Sequence, residues 1–188
     1  MKKIGITGSI ASGKTTAGKI LSVRKGPLFS ADKIVKKLYK IESFKKFISN
    51  KFKIKNNSNI KLSVRNKILE NKSNIIKLEK IIHPLVRKEM KKFVKLNKKN
   101  EFIFLEIPLL VESKLMKYFD IIIFIKTKKS LRLKRFISKG GNKKLFNLLN
   151  KKQLSDKKKA KYCDHIIVNE KDLKFLKKNL LDILSIYE

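Results

Sequence analysis

An α/β fold built on a parallel sheet is predicted by three features of the sequence. Uniformly apolar runs, EFIFLEIP at 101–108 and FDIIIFIK at 119–126, are separated by stretches of helical spacing. Strands of this kind are buried on both faces, the pattern of a parallel sheet covered by helices. The chain also opens with a short apolar strand, KIGIT, that runs into GSIASGKT at 8–15. A glycine, four residues and then Gly13-Lys14-Thr15 is the P-loop spacing, and it sits between a strand and a helix, where such a loop holds phosphate.

The elements follow in order. After the first strand and the loop, a helix runs from Lys14 to about Arg24. Gly26-Pro27 turns the chain into a short second strand, PLF, ending near Ser30. DKIVKKLYK has helical spacing, with Ile34, Val35, Leu38 and Tyr39 on one face. Residues 41–100 read as polar and helical. SFKKFISNKF places Phe44, Phe47, Ile48 and Phe52 on one side, NKFKIKNNSNIK at 50–61 is a loop, and residues 62–97 give two or three helices, with Pro84 expected in the first turn of one of them. The two long strands follow. Residues 128–160 are helical and basic, broken at Gly140-Gly141. DHIIVNE is the last strand, and KDLKFLKKNLLDILSIYE closes the chain as an amphipathic helix. There is no internal repeat and no linker between separate domains, so the 188 residues read as one domain, long enough for a real core.

Composition narrows the function classes. With 49 Lys and Arg against 15 Asp and Glu, the formal net charge is +34. The cations form no tail or block and fall on the polar sides of apolar-periodic segments, the pattern of solvated lysine-rich faces. A nucleic-acid surface is the alternative, and it would set aromatic residues between clustered cations. Here the phenylalanines follow core spacing, so no specific nucleic acid is expected. The single cysteine, Cys163, allows no intrachain disulfide and suits a reducing compartment. Gly5, Gly8, Ser9 and Lys14 break any signal-peptide core, and no apolar run reaches membrane-spanning length. A cytoplasmic protein with no membrane partner, monomeric or weakly oligomeric, is expected.

The loop states its own chemistry. Gly8 and Gly13 permit close backbone approach, and the N–H groups across Ala11, Ser12 and Gly13 cradle phosphate at the positive end of the following helix. Lys14 reaches the β and γ phosphates, the Thr15 hydroxyl ligates Mg²⁺, and Thr16 reaches another phosphate oxygen. The base-reading NKxD of GTPases is absent, and motor and transport ATPases need longer chains. A small P-loop protein with a helical insertion and a basic late segment suits a small-molecule kinase, in which positioning and charge neutralisation supply most of the catalysis. Asp32 follows the second strand, where open α/β sheets place ligands. That position equally fits the N-cap of the next helix. Glu106 ends a buried strand, where it suits orienting a Mg²⁺ water, pairing with a P-loop group, or a structural ion pair. His83 suits packing or capping.

Several segments, in order, resemble the dephospho-CoA kinase family: GITGSIASGKTTAGKIL, SADKIVKKLY, LEKIIHPLV, FLEIPLLVESKL, DIIIFIKTKKSLRLKR, Gln153 and CDHIIVNE. Other P-loop proteins do not pair HPLV and IPLLVE with the loop. The resemblance implies a P-loop kinase fold, with a five-stranded parallel sheet flanked by helices. It implies a core of residues 1–32, 101–127 and 161–188, a helical CoA-binding insertion at 33–100 and a basic helical lid at 128–160. The implied reaction moves the γ-phosphate of ATP, with Mg²⁺, to the ribose 3′-hydroxyl of dephospho-CoA, the last step of CoA synthesis. Another nucleoside or nucleotide kinase, or a basic P-loop nucleic-acid-binding protein, is the alternative.

Carried over by position, Asp32 becomes the base facing the acceptor hydroxyl, with Lys14 as its catalytic partner at the phosphates. His83, Pro108 and Leu109 line the acceptor, and Leu110 joins their wall. Arg132, Arg135 and Lys139 are lid phosphate contacts, and Asn169 lies near the adenine. The chain departs from the family pattern at four places. Ser30 stands for the first acid of DAD, Glu106 stands where Asp is common, Lys139-Gly140 stands for Arg-Asp, and Glu170 stands for a small residue.

Overall fold

The computed structural model describes residues 1–54 and 59–188. Five strands form one sheet: β1 (Lys2–Gly8), β2 (Leu28–Ser30), β3 (Phe102–Glu106), β4 (Ile121–Lys126) and β5 (His165–Val168). Their order is β2-β3-β1-β4-β5, and every neighbouring pair is parallel. The expected five-stranded parallel sheet is therefore present. Alternate residues of β3 and β4 are buried on opposite faces, Phe102 and Phe104 on one, Ile103 and Leu105 on the other, which is why both strands read as unbroken apolar runs. Ile4, Ile6, Phe104, Ile123 and Ile167 meet Ala17 and Leu21 of α1 (Lys14–Lys25) and Leu176, Leu180 and Leu184 of α9 (Leu173–Ser185) in the main core. At the β5 edge, Ile167 is buried while Ile166 and Val168 are exposed, so the last strand is covered on one face only.

The described residues fall into two compact units. One comprises Met1–Ser30 and Leu96–Glu188, and the other Ala31–Lys95. The second is all helical: α2 (Ala31–Leu38), α3 (Glu42–Phe52), α4 (Ile60–Glu70) and α5 (Ser73–Leu96). Phe44, Ile48, Phe52, Val64, Ile68 and Ile82 are buried in it, and Tyr39 packs edge-on against Phe44 with ring centroids 5.4 Å apart. Phe47 departs from its expected place. It is 45% exposed, with the Lys51 ammonium 5.7 Å from its ring centre. The loop expected over 50–61 lies partly outside the described residues, at 55–58.

Pro84 is the clearest difference from the sequence reading. It lies inside the 24-residue helix α5, not in a first turn. Proline removes the amide that would bond to the carbonyl of Lys80 and costs about 3 kcal/mol in a helix interior. Pro84 and Lys80 are both exposed, so the orphaned carbonyl sits on the solvent side, while Ile75, Ile82 and Met90 bury the opposite face of the continuous helix.

The basic segment forms α6 (Lys129–Ile137), α7 (Lys143–Lys152) and α8 (Asp156–Ala160). Helix α6 ends in a Schellman turn. Gly141 N–H donates to the Phe136 carbonyl at 3.1 Å, and Gly140 N–H to Ile137 at 2.9 Å. Gly140 holds the required left-handed conformation at φ 79°. The glycine pair is thus a helix stop. Side chains of Asn142, Ser155 and Asp172 accept the N-terminal amides that open α7, α8 and α9.

Candidate active site

The loop between β1 and α1 is shaped by contacts that leave no room for side chains at its two glycines. A Cβ on Gly8 would meet the Ile125 carbonyl at 2.5 Å and Ser12 Oγ at 2.6 Å. Gly13 has φ 102°, and a Cβ there would lie 2.1 Å from Asn169 Nδ2. Between them Ala11 is also left-handed, at φ 59°, a conformation that costs a non-glycine residue about 1–2 kcal/mol. The turn is closed by Ser12 N–H donating to the Ser9 carbonyl at 3.1 Å.

Lys14 is buried, and its ammonium donates to the Ser9 carbonyl at 2.9 Å. Thr15 and Thr16 are exposed at the start of α1. The Thr15 hydroxyl donates to Glu106 Oε1 at 2.5 Å. Glu106 closes β3 beside β1 and is fully buried, and its Oε2 is buried with no hydrogen-bond partner. The open choice for Glu106 is thereby narrowed: it pairs with the P-loop. A hydroxyl beside a carboxylate with an unsatisfied oxygen is a hard, oxygen-only donor set, which suits Mg²⁺ and its preference for one or two protein ligands plus phosphate and water.

The segment from Gln153 to Lys159 braces the loop from outside. Gln153 Oε1 accepts the Ile10 N–H at 2.8 Å, and Asp156 Oδ1 accepts the Ser9 hydroxyl at 2.5 Å. A pocket of about 360 Å³ opens here, lined by Ser9, Arg132, Asn150, Lys151, Gln153 and Asp156 among others. The segment also grips the turn after β3. Lys159, at 0% exposure, pairs with Glu112 at 2.9 Å, and Glu112 accepts the Leu154 N–H at 3.0 Å.

Of the remaining expected residues, Pro108 and Leu109 are half-buried in that turn, and the Pro108 carbonyl accepts from the Thr7 hydroxyl at 3.3 Å. Leu110 is a core residue with no exposure, not part of a wall. Arg132 is buried, donating through Nε to the Thr127 carbonyl at 2.9 Å and through NH1 to Asn150 at 2.7 Å. Burial pulls its pKa below the ordinary value, and Asp156 opposes that shift. Arg135 donates to the carbonyls of Ser12 and Asn169, and Lys139 is exposed just past the end of α6. Asn169 is buried, with its amide 2.8 Å from the Ser12 carbonyl. In the all-helical unit, Asp32 is the second residue of α2, inside its first turn and exposed, where the helix dipole favours a carboxylate. His83 is half-buried in the middle of α5.

Sequence reading gave no role to Gln153, Asp156, Thr127 or Lys159. Lys159 ends a run of three lysines, and nothing local sets it apart from the other two. The partners of all four residues lie far away in the chain. Among the described residues no group of three His, Cys, Asp or Glu is placed to hold a metal, and no helix is long and apolar enough to cross a membrane.

Comparison with known proteins places this geometry. A family model described as dephospho-CoA kinase matches residues 2–174. A dephospho-CoA kinase of Bartonella henselae is 35% identical over 190 residues, covering 98% of this chain and 97% of that protein. The solved dephospho-CoA kinase of Campylobacter jejuni is 26% identical with a TM-score of 0.64, covering 98% of this chain and 96% of that one. A Thermus thermophilus crystal structure shares the fold at a TM-score of 0.78 and 22% identity, covering 100% and 98% of the two chains.

Proposed function

The chain belongs to the dephospho-CoA kinase family and is an ATP-dependent phosphotransferase; from that premise we propose which residues carry the transfer to the ribose 3′-hydroxyl of dephospho-CoA. The observation that carries the reading is the Thr15–Glu106 contact at the mouth of a buried P-loop. It sets a hydroxyl, a carboxylate and the Lys14 ammonium at one end of the sheet, the groups that phosphoryl transfer needs around a triphosphate.

Backbone amides from Ala11 to Thr16 bind the phosphates. Lys14 exchanges its contact with the neutral Ser9 carbonyl for phosphate oxygens and offsets charge as the bond to the leaving group lengthens. Thr15 and Glu106 would hold Mg²⁺, which when bound supplies charge neutralisation at the β and γ phosphates. Asp32 takes the proton of the attacking hydroxyl, a contribution on the order of 10²–10⁴-fold. Chain connectivity supports this role, because Asp32 lies two residues beyond Ser30, whose register partner in the sheet is Glu106. His83, from a CoA-binding region at 33–100, binds the acceptor, as do Pro108 and Leu109 from the turn after β3. Residues 128–160 act as the lid, with Lys139 the exposed phosphate contact, Arg132 acting from a buried position and Arg135 from a half-buried one. Asn169 contributes to the nucleotide site. The protein works in the cytoplasm as a monomer or weak oligomer, and any nucleic acid it retains is held nonspecifically through its charge.

ADP release with Mg·ATP and three acceptors, dephospho-CoA, adenosine and AMP, tests this. Turnover selective for dephospho-CoA is expected. Equal turnover with all three, or none with any in protein that binds ATP, overturns the substrate assignment.

A further inference from the structure

Donors from three elements converge on a single carbonyl of the P-loop. The Ser12 oxygen receives Asn169 Nδ2 at 2.8 Å, the Thr127 hydroxyl at 3.0 Å and Arg135 NH1 at 3.5 Å. Thr127 follows β4, Arg135 lies on α6 and Asn169 follows β5. The donors also hold one another in place. Arg135 NH2 reaches the Asn169 carbonyl at 3.3 Å, the Thr127 hydroxyl lies 3.2 Å from that same oxygen, and Asn169 N–H donates to the Lys126 carbonyl at 2.8 Å. Thr127 and Asn169 are buried, and all of these contacts lie within one compact unit.

The consequence follows from the geometry of the peptide group. No described peptide bond is cis, so the Ser12 C=O and the Gly13 N–H point in opposite directions across one rigid plane. Fixing the oxygen therefore fixes the direction of the amide. A carbonyl held by three donors cannot rotate inward without giving up all three bonds, and the buried Asn169 amide would then lose its acceptor at about 1–3 kcal/mol. An inward-facing carbonyl would set a negative dipole against phosphate. An outward-facing one presents the Gly13 N–H to it.

We propose that Thr127, Asn169 and Arg135 are positioning residues that lock the Ser12–Gly13 peptide with its N–H toward the nucleotide phosphate. Thr127 is the informative member, because its side chain is buried against this carbonyl and has no place in substrate binding. Through this latch the loops after β4 and β5 act on phosphate affinity from behind the P-loop. The proposal rests on the reading of the P-loop as a nucleotide site.

Thr127→Val and Thr127→Ser, measured with wild type by calorimetric ADP titration and by steady-state kinetics, test the proposal. T127V keeps the shape and loses the donor, so ADP binding weakens about tenfold and the ATP KM rises in step, while the KM for dephospho-CoA stays put. T127S keeps the donor and binds ADP within about twofold of wild type. If T127V does not fold, T127A against T127S makes the same comparison. Unchanged ADP affinity in T127V overturns the latch. So does equal loss in T127V and T127S, which marks a packing role, and so does a parallel rise in both KM values. Wild-type protein that fails to bind ADP overturns the nucleotide reading itself, a separate result.

Discussion

Replacing Lys159 by methionine should destabilise this protein far more than its place in a run of lysines suggests. Its side chain is fully buried, with Nζ 2.9 Å from Glu112 Oε1 and 3.5 Å from the Pro108 carbonyl. Glu112 is itself nearly enclosed, and its Oε2 is buried without a partner. K159M removes the cation and leaves that carboxylate with the Leu154 N–H as its remaining donor. Breaking a buried pair from one side costs about 3–5 kcal/mol. At about 2–4 °C per kcal/mol for a chain of this size, Tm falls by roughly 6–20 °C. Removing both charges is a different perturbation, since no ion is left in the interior. The K159M/E112Q double variant, which removes both charges and keeps an acceptor for the Leu154 N–H, should recover most of that loss. Urea unfolding followed by far-ultraviolet circular dichroism measures all three. A K159M variant within about 0.5 kcal/mol of wild type, or a double variant as unstable as the single, refutes the reasoning.

Other substitutions separate chemistry from folding. Lys14→Ala should abolish phosphoryl transfer while the circular dichroism spectrum and cooperative melt persist. Asp32→Asn should lower kcat by about a hundredfold or more and leave ATP affinity, read by titration, nearly unchanged; near-normal turnover would return Asp32 to a helix-stabilising role. Burial, with Asp164 and Glu112 adding to it and Lys159 opposing, pushes the Cys163 thiol from its ordinary 9.0 to about 11. Its thiolate fraction at pH 8 is then about a hundredfold below that of a free thiol, and a disulfide reagent should react correspondingly slowly until denaturant is added. The sign for stability follows: the raised pKa contributes below pH 9 and its contribution is lost as pH rises through about 11.

What the sequence disclosed was what local pattern encodes. The five strands are short, apolar and bounded by turn residues, and the P-loop is contiguous, so both could be read directly. Pro84 could not be placed, because a proline that usually opens a helix is tolerated mid-helix when its orphaned carbonyl faces solvent. Phe47 shares the spacing of Phe44 and Phe52 but lies at the margin of the buried face. Lys159 differs from Lys157 and Lys158 only in having Glu112 opposite it, a partner set by the fold. The Ser12 latch joins residues after β4, on α6 and after β5, and none of the three is unusual in its own neighbourhood. Long-range pairing of this kind leaves no local mark in the sequence.

The most direct test of the central claim is phosphorus NMR of the products formed from Mg·ATP and dephospho-CoA. The account predicts loss of the γ-phosphate signal of ATP and a new phosphomonoester coupled to the ribose 3′ proton. Release of the γ-phosphate as inorganic phosphate alone, or an ester at another hydroxyl, would contradict it.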